Sequence, residues 1–203
     1  MITSGPLGWA GGVVATGGLA VFPTDTLYGI GCDAFDGPAV ARLLAAKESP
    51  SGRPLPMLAA SVEDVLALVP RTFHQRLGDL ARAFWPGGLT VVLPLEPAAR
   101  RALVHCAPEG RGGFRVPGDP VARYLAARTR GLLVGSSANR AGLEAPASPE
   151  DLDPLLCARV DCLVTRPGRC LGLASTVLSL DDKGFTLIRA GAVPQAAVEK
   201  VLG

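Results

Sequence analysis

Short apolar runs and helically spaced apolar positions take turns along this chain, and that alternation predicts its elements. Residues 19–22, 57–60, 89–95, 113–116, 132–135 and 160–164 are short apolar runs and read as strands. Residues 174–180 and 185–189 read as a hairpin around a turn at 181–184. Helices are predicted over residues 36–48, 61–69, 71–85, 96–105, 119–128 and 194–202, with a further one starting at Ser148. Several carry their own start signals: Asp36 with Pro38 in the first turn, the Ser61-Val62-Glu63-Asp64 capping box, Asp119-Pro120, and Ser148-Pro149-Glu150-Asp151. Residues 6–16 also read as a helix, stopped by Gly17-Gly18, although their glycines oppose helix formation.

Strands and helices interleave, with one hairpin late in the chain, which predicts an α/β (α+β) fold built on a mixed sheet. No repeat, low-complexity tract or linker divides the chain, so residues 1–203 are expected to form one domain. At 203 residues and 48% hydrophobic content it can bury a substantial core. A net charge of +2 excludes nucleic-acid binding by bulk charge and leaves a local basic patch open. No apolar segment is long enough to span a membrane, and no basic residue precedes Arg42, so no signal peptide is expected and the expected location is cytoplasmic. The five cysteines, Cys32, Cys106, Cys157, Cys162 and Cys170, lack the short spacings of a disulfide framework or zinc site and are expected reduced and buried. No metal site is expected.

Residues 20–47 organise the candidate chemistry. The first apolar run stops at Pro23 and opens into Thr24-Asp25-Thr26, then a glycine-rich turn, then a helix that ends on Lys47. A strand ending in small hydroxyl residues, followed by a helix delivering a cation, is a common construction for an anion- or nucleotide-facing site. Val40, Leu43, Leu44 and Lys47 share one helical face, so Lys47 extends an apolar stripe. Such a lysine either snorkels to the surface or reaches into a site. The G-x-x-x-x-G-K-[ST] phosphate loop, the full dinucleotide fingerprint and the G-x-S-x-G elbow are all missing. What remains is a set of hydroxyls, an amide and cations at element ends: Thr24, Thr26, Lys47, Arg53 in the proline-rich segment 49–56, Arg115, Ser136, Ser137, Asn139, Ser175, Thr176 and Arg189. Groups of this kind hold phosphate and carboxylate through charge-assisted hydrogen bonds.

Taken in order, these blocks resemble the YrdC family, the threonylcarbamoyl-AMP synthases of tRNA modification. Residues 23–31 match the family's P-T-[DE]-T-x-Y-G-[LI]-G signature. Lys47, Pro54-Leu55, Phe114-Arg115-Val116-Pro117, Ser137-Ala138-Asn139, Ser175-Thr176-Val177 and Ile188-Arg189-Ala190-Gly191 match its later blocks, and the likeness runs from about residue 13 to 193. The resemblance implies a YrdC/RibB-like twisted mixed sheet with helices around a large concave cavity, in the short form without the extra C-terminal domain of longer relatives. It implies an L-threonylcarbamoyladenylate synthase, a nucleotidyltransferase that joins L-threonine, bicarbonate and ATP for N6-threonylcarbamoyladenosine formation. By the family's pattern Thr24, Thr26, Arg115, Ser175 and Thr176 face the threonine. Lys47, Arg53, Ser137, Asn139 and Arg189 face the nucleotide, with Lys47 and Arg53 as the catalytic pair. Mg2+ is expected with the ATP phosphates, and tRNA and a downstream threonylcarbamoyl-transferase complex as partners. Two positions depart from the pattern: Ser49 stands where the family usually carries arginine, and Leu58 near a position where some relatives carry histidine. The alternative expectation is a diverged, non-catalytic module of the same fold that binds RNA or nucleotide.

Overall fold

Ten strands and eight α-helices alternate over residues 6–203, the part of the chain that the computed structural model describes. In order these are α1 (Leu7–Ala15), β1 (Ala20–Phe22), β2 (Gly29–Gly31), α2 (Gly37–Ala46), β3 (Pro56–Ala59), α3 (Val62–Leu66), α4 (His74–Phe84), β4 (Leu89–Pro94), α5 (Pro97–Ala102) and β5 (Arg111–Arg115). There follow α6 (Pro120–Ala127), β6 (Leu132–Val134), β7 (Ser136–Ser137), α7 (Pro154–Cys157), β8 (Cys162–Leu163), β9 (Thr176–Asp181), β10 (Gly184–Arg189) and α8 (Gln195–Leu202).

The helix starts are set locally, as expected. The side chains of Asp36, Ser61 and Asp119 accept from the backbone N–H groups of Ala39, Asp64 and Val121, satisfying donors that the first helical turn leaves unpaired. Two expected helices change at their starts. Residues 71–85 divide into a 3-10 turn at Arg71–Phe73 and then α4. Ser148 starts only a 3-10 turn, Pro149–Asp151, and α7 begins afresh with Pro154 in its first turn behind the Asp153 cap. The strand expected from residue 113 starts two residues earlier, at Arg111.

The strands build two mixed sheets, with order β7-β2-β1-β8 in one and β10-β9-β4-β5-β3-β6 in the other. One hydrophobic cluster draws on both, joining Val21 and Ile30 to Val91 and Phe114. A second packs α1 and α6 on the back of β1, through Ala10, Val14, Ala122, Leu125 and Phe22. The chain passes from one sheet to the other at Gly135, between β6 and β7. The late hairpin is present as β9 and β10. All five cysteines are free, four of them buried; burial pushes the Cys106 thiol up to about 12, so it stays protonated at neutral pH. Among the described residues no helix is long and apolar enough to cross a membrane.

Strand β2 overturns one expectation, since residues 29–31 read as a turn. Glycine has low strand propensity, but the crowding here admits nothing larger. A Cβ on Gly31 would lie 2.1 Å from the carbonyl oxygen of Val134, so β2 passes β6 at a distance only a glycine allows. Gly31→Ala is therefore expected to cost on the order of 3 kcal/mol of stability in urea denaturation. Gly12, inside α1 with open space where a Cβ would stand, is the control: Gly12→Ala is expected to stabilise by about 0.5–1 kcal/mol.

Candidate active site

Strands β1 and β2 pair antiparallel, with Phe22 opposite Gly29, and residues 23–28 form the loop between them. Thr24 organises that loop. Its Oγ1 donates to Leu27 O at 2.7 Å and accepts from the N–H groups of Thr26 and Leu27 at 3.1 and 3.2 Å. The Thr26 hydroxyl lies 3.0 Å from Thr24 Oγ1 and accepts from Arg115 Nη1 at 2.8 Å.

Arg115 reaches this loop from the end of β5, its side chain 6% exposed. Nε donates to Gly87 O at 2.8 Å, Nη1 to Thr26, and Nη2 to the Asp25 carboxylate, which also accepts from Gly118 N at 2.9 Å. Burial lowers the Arg115 pKa and Asp25 opposes that, so the guanidinium is charged at neutral pH. Across the cavity, Arg189 donates from Nε and Nη2 to Ser175 O at 3.2 and 2.9 Å, and from Nη2 to Ser175 Oγ at 3.1 Å. Among the described residues it makes no salt bridge, and burial alone acts on its pKa, downward.

These groups line one cavity of about 300 Å³ between the two sheets. Six of the ten expected site residues are on its wall: Thr24, Thr26, Arg115, Ser137, Ser175 and Arg189. Leu58, Tyr28, Pro56, Ser136 and Thr90 complete much of the lining. Thr90 was not anticipated, and its signal was present: it is the one polar residue in the apolar strand β4.

Four expected residues do not line the cavity. Thr176 points away from it. Successive residues of a strand point to opposite faces, so with Ser175 in the cavity Thr176 turns inward, fully buried, donating to Val193 O at 2.6 Å and accepting from Val193 N at 2.9 Å. Arg53 is also off the wall. It is exposed on the loop between α2 and β3, away from the cavity wall and without an ion pair or hydrogen bond among the described residues. The loop leaves α2 through Glu48 at φ 54 and turns again at Gly52 at φ 79, carrying Arg53 outward.

Lys47 and Asn139 lie behind the wall. Lys47, 6% exposed, is neither at the surface nor in the cavity: its ammonium donates to the carbonyl oxygens of Ser137 and, at 2.6 Å, Asn139. Burial pulls its pKa from 10.5 down to about 8. The Asn139 amide donates to Arg140 O and Leu143 O at 3.1 and 2.7 Å, and its Oδ1 is buried without a partner. Ser49 opens onto a different groove, beside Val40, Leu44, Val104 and His105.

Fold and cavity together define a mixed α/β protein with a cation-lined cleft between two sheets. A family profile described as telomere recombination (Sua5, YciO, YrdC) matches residues 12–191. The chain is 32% identical over 199 residues to the threonylcarbamoyl-AMP synthase of Pyrococcus abyssi, covering 96% of this chain and 56% of that one. It is 32% identical over 188 residues to the Bacillus subtilis protein of the same name, covering 91% and 53%. The structure of Pyrococcus abyssi Sua5 complexed with L-threonine superposes with a TM-score of 0.86 at 30% identity, covering 97% of this chain and 57% of that one. The chain belongs to the Sua5/YciO/YrdC family. It spans about half the length of these curated relatives.

Proposed function

We propose that this chain makes threonylcarbamoyl-AMP from L-threonine, bicarbonate and ATP, releasing pyrophosphate. The observation that carries the reading is the charge balance of the cavity: two guanidinium groups, Arg115 and Arg189, face it against the single carboxylate of Asp25 that pairs with one of them. A cavity with one uncompensated cation and several hydroxyls suits anionic substrates. The chemistry asks for little else. The threonine amine condenses with bicarbonate to a carbamate with loss of water, a carbamate oxygen attacks the α-phosphorus, and pyrophosphate leaves. Negative charge must be held close and steady throughout, which fixed donors and cations do.

In this assignment Thr24, Thr26, Arg115 and Ser175 hold the threonine, while Ser137 and Arg189 meet the nucleotide. Lys47 and Asn139 act behind them, by fixing the segment that carries Ser137. Among the described residues no group of three or more His, Cys, Asp or Glu is arranged to hold a metal ion. Magnesium is accordingly proposed to enter on the ATP phosphates, whose oxygens suit it. The product is then consumed by a threonylcarbamoyl-transferase complex acting on tRNA, which places the protein in the cytoplasm.

The test is pyrophosphate release by the purified chain. Turnover is expected only when ATP, L-threonine and bicarbonate are all present, and release indifferent to threonine overturns the reading. One observation favours the alternative, a module that binds nucleotide without turnover: Lys47 and Arg53, the residues expected to act on the phosphates, do not line the cavity. That alternative predicts a thermal shift with ATP and no pyrophosphate.

A further inference from the structure

Thr90 is among the polar side chains of the cavity that have no task in the assignment above. Thr90 lines the cavity from β4, and its Oγ1 lies 2.9 Å from Ser175 Oγ, its one side-chain hydrogen-bond partner among the described residues. Ser175 Oγ also accepts from Arg189, a group that can only donate.

A hydroxyl has one hydrogen and two acceptor sites, so the pair has two arrangements. If Ser175 donates to Thr90, the spare hydrogen belongs to Thr90. Thr90 is 3% exposed against 8% for Ser175, and an unmatched donor costs more where water is scarcer. If Thr90 donates instead, Thr90 and Arg189 fill both acceptor sites of Ser175, and the hydrogen of Ser175 is left to face the cavity. The charge of Arg189 favours this second arrangement, because it holds the oxygen end of the Ser175 hydroxyl toward itself and the hydrogen away. Thr90 is also the stiffer partner, being β-branched and set in a strand.

We propose that Thr90 is a positioning residue whose donation to Ser175 Oγ, beside that of Arg189, commits the Ser175 hydrogen to an acceptor in the cavity. That acceptor is the carboxylate of L-threonine, an identity that rests on the function proposed above; the direction of the hydrogen bond does not. Ser175 thereby becomes a fixed donor before the substrate arrives, so none of its binding free energy is spent on turning a hydroxyl that would otherwise face Thr90.

Neutron diffraction from the deuterium-exchanged protein without substrate reads the direction by itself. The expected map places the Thr90 deuteron on the line to Ser175 Oγ. A deuteron on Ser175 aimed at Thr90 overturns the proposal, whatever the protein's reaction. In the pyrophosphate assay Thr90→Val, which keeps the shape and removes the hydroxyl, is expected to raise KM for L-threonine about tenfold. It is expected to leave kcat and KM for ATP within about twofold, because the role ends at one hydroxyl of the amino-acid site. Thr90→Ser restores the threonine KM, and Thr90→Val adds nothing on a Ser175→Ala background. An unchanged threonine KM, a loss that Thr90→Ser does not rescue, or full additivity with Ser175→Ala each overturn it. A wild-type chain without threonine-dependent turnover defeats the functional reading instead, and the neutron map then decides the hydrogen bond alone.

Discussion

Arg115→Met is expected to lower kcat/KM at least about a hundredfold and stability by about 3–5 kcal/mol. The two losses share one origin. The Arg115 side chain is nearly fully buried and spends its donors on Gly87 O, Thr26 Oγ1 and the Asp25 carboxylate, so it pins the β1–β2 loop to the end of β5. Removing it leaves the partly buried Asp25 carboxylate without its cation and the Gly87 carbonyl without the guanidinium donor, and takes a cation from the cavity. Arg115→Lys keeps the charge but not the planar fork that reaches three partners at once, so it is expected to recover stability only in part. Folding and function separate in the double variant Asp25→Asn/Arg115→Met. Neutralising the stranded carboxylate is expected to restore some stability in urea denaturation while activity stays lost. Activity recovering along with stability would show that the arginine serves only the fold.

Lys47→Met is expected to reduce pyrophosphate release about a hundredfold, although Lys47 does not touch the cavity. Its ammonium bridges the carbonyls of Ser137 and Asn139, residues 90 and 92 positions further along the chain, and so holds the strand that carries Ser137. Without it the Asn139 carbonyl loses its side-chain donor, the Ser137 carbonyl keeps only the Asn139 N–H, and the wall loosens; small misplacements of a positioning group are costly in catalysis. The same lysine gives a pH signature. Burial favours the neutral amine and leaves the pKa at about 8, against 10.5 in the unfolded chain. Below pH 8 both states hold the proton and Lys47 adds no slope. Between about 8 and 10.5 the unfolded chain binds more protons, so the Lys47 contribution to stability rises with pH across that window. From pH 7.5 to 9.5 the wild type is expected to gain on the order of 2 kcal/mol relative to Lys47→Met in urea denaturation. Parallel pH dependence in the two proteins would rule out the lowered pKa.

The elements that the sequence forecast well are those written in local chemistry. Asp36, Ser61 and Asp119 cap the helices they were expected to cap, because a cap needs only backbone two or three residues away. The late hairpin and the apolar strands followed from periodicity in the same way. Strand β2 did not, since its Gly31 answers to Val134, which lies in another strand altogether. The outer turns of helix 71–85 and of the segment after Ser148 were misjudged at their edges, where a proline or a 3-10 turn interrupts a continuing pattern.

The same division runs through the site. The sequence by itself determined the kinds of group available, hydroxyls and guanidinium groups at strand ends, and their order along the chain. It also placed Lys47 on an apolar helical face without saying where its ammonium goes. Tertiary structure alone decided that Arg115 meets Asp25 across 90 residues, that Ser175 faces the cavity while Thr176 turns to Val193, and that Arg53 stays outside. It also brought Thr90 under Ser175, at a separation of 85 residues. The physical reason is range. Capping and periodicity act within a turn or two of the backbone, whereas the partner of a buried polar side chain is chosen by whichever strand packs against it.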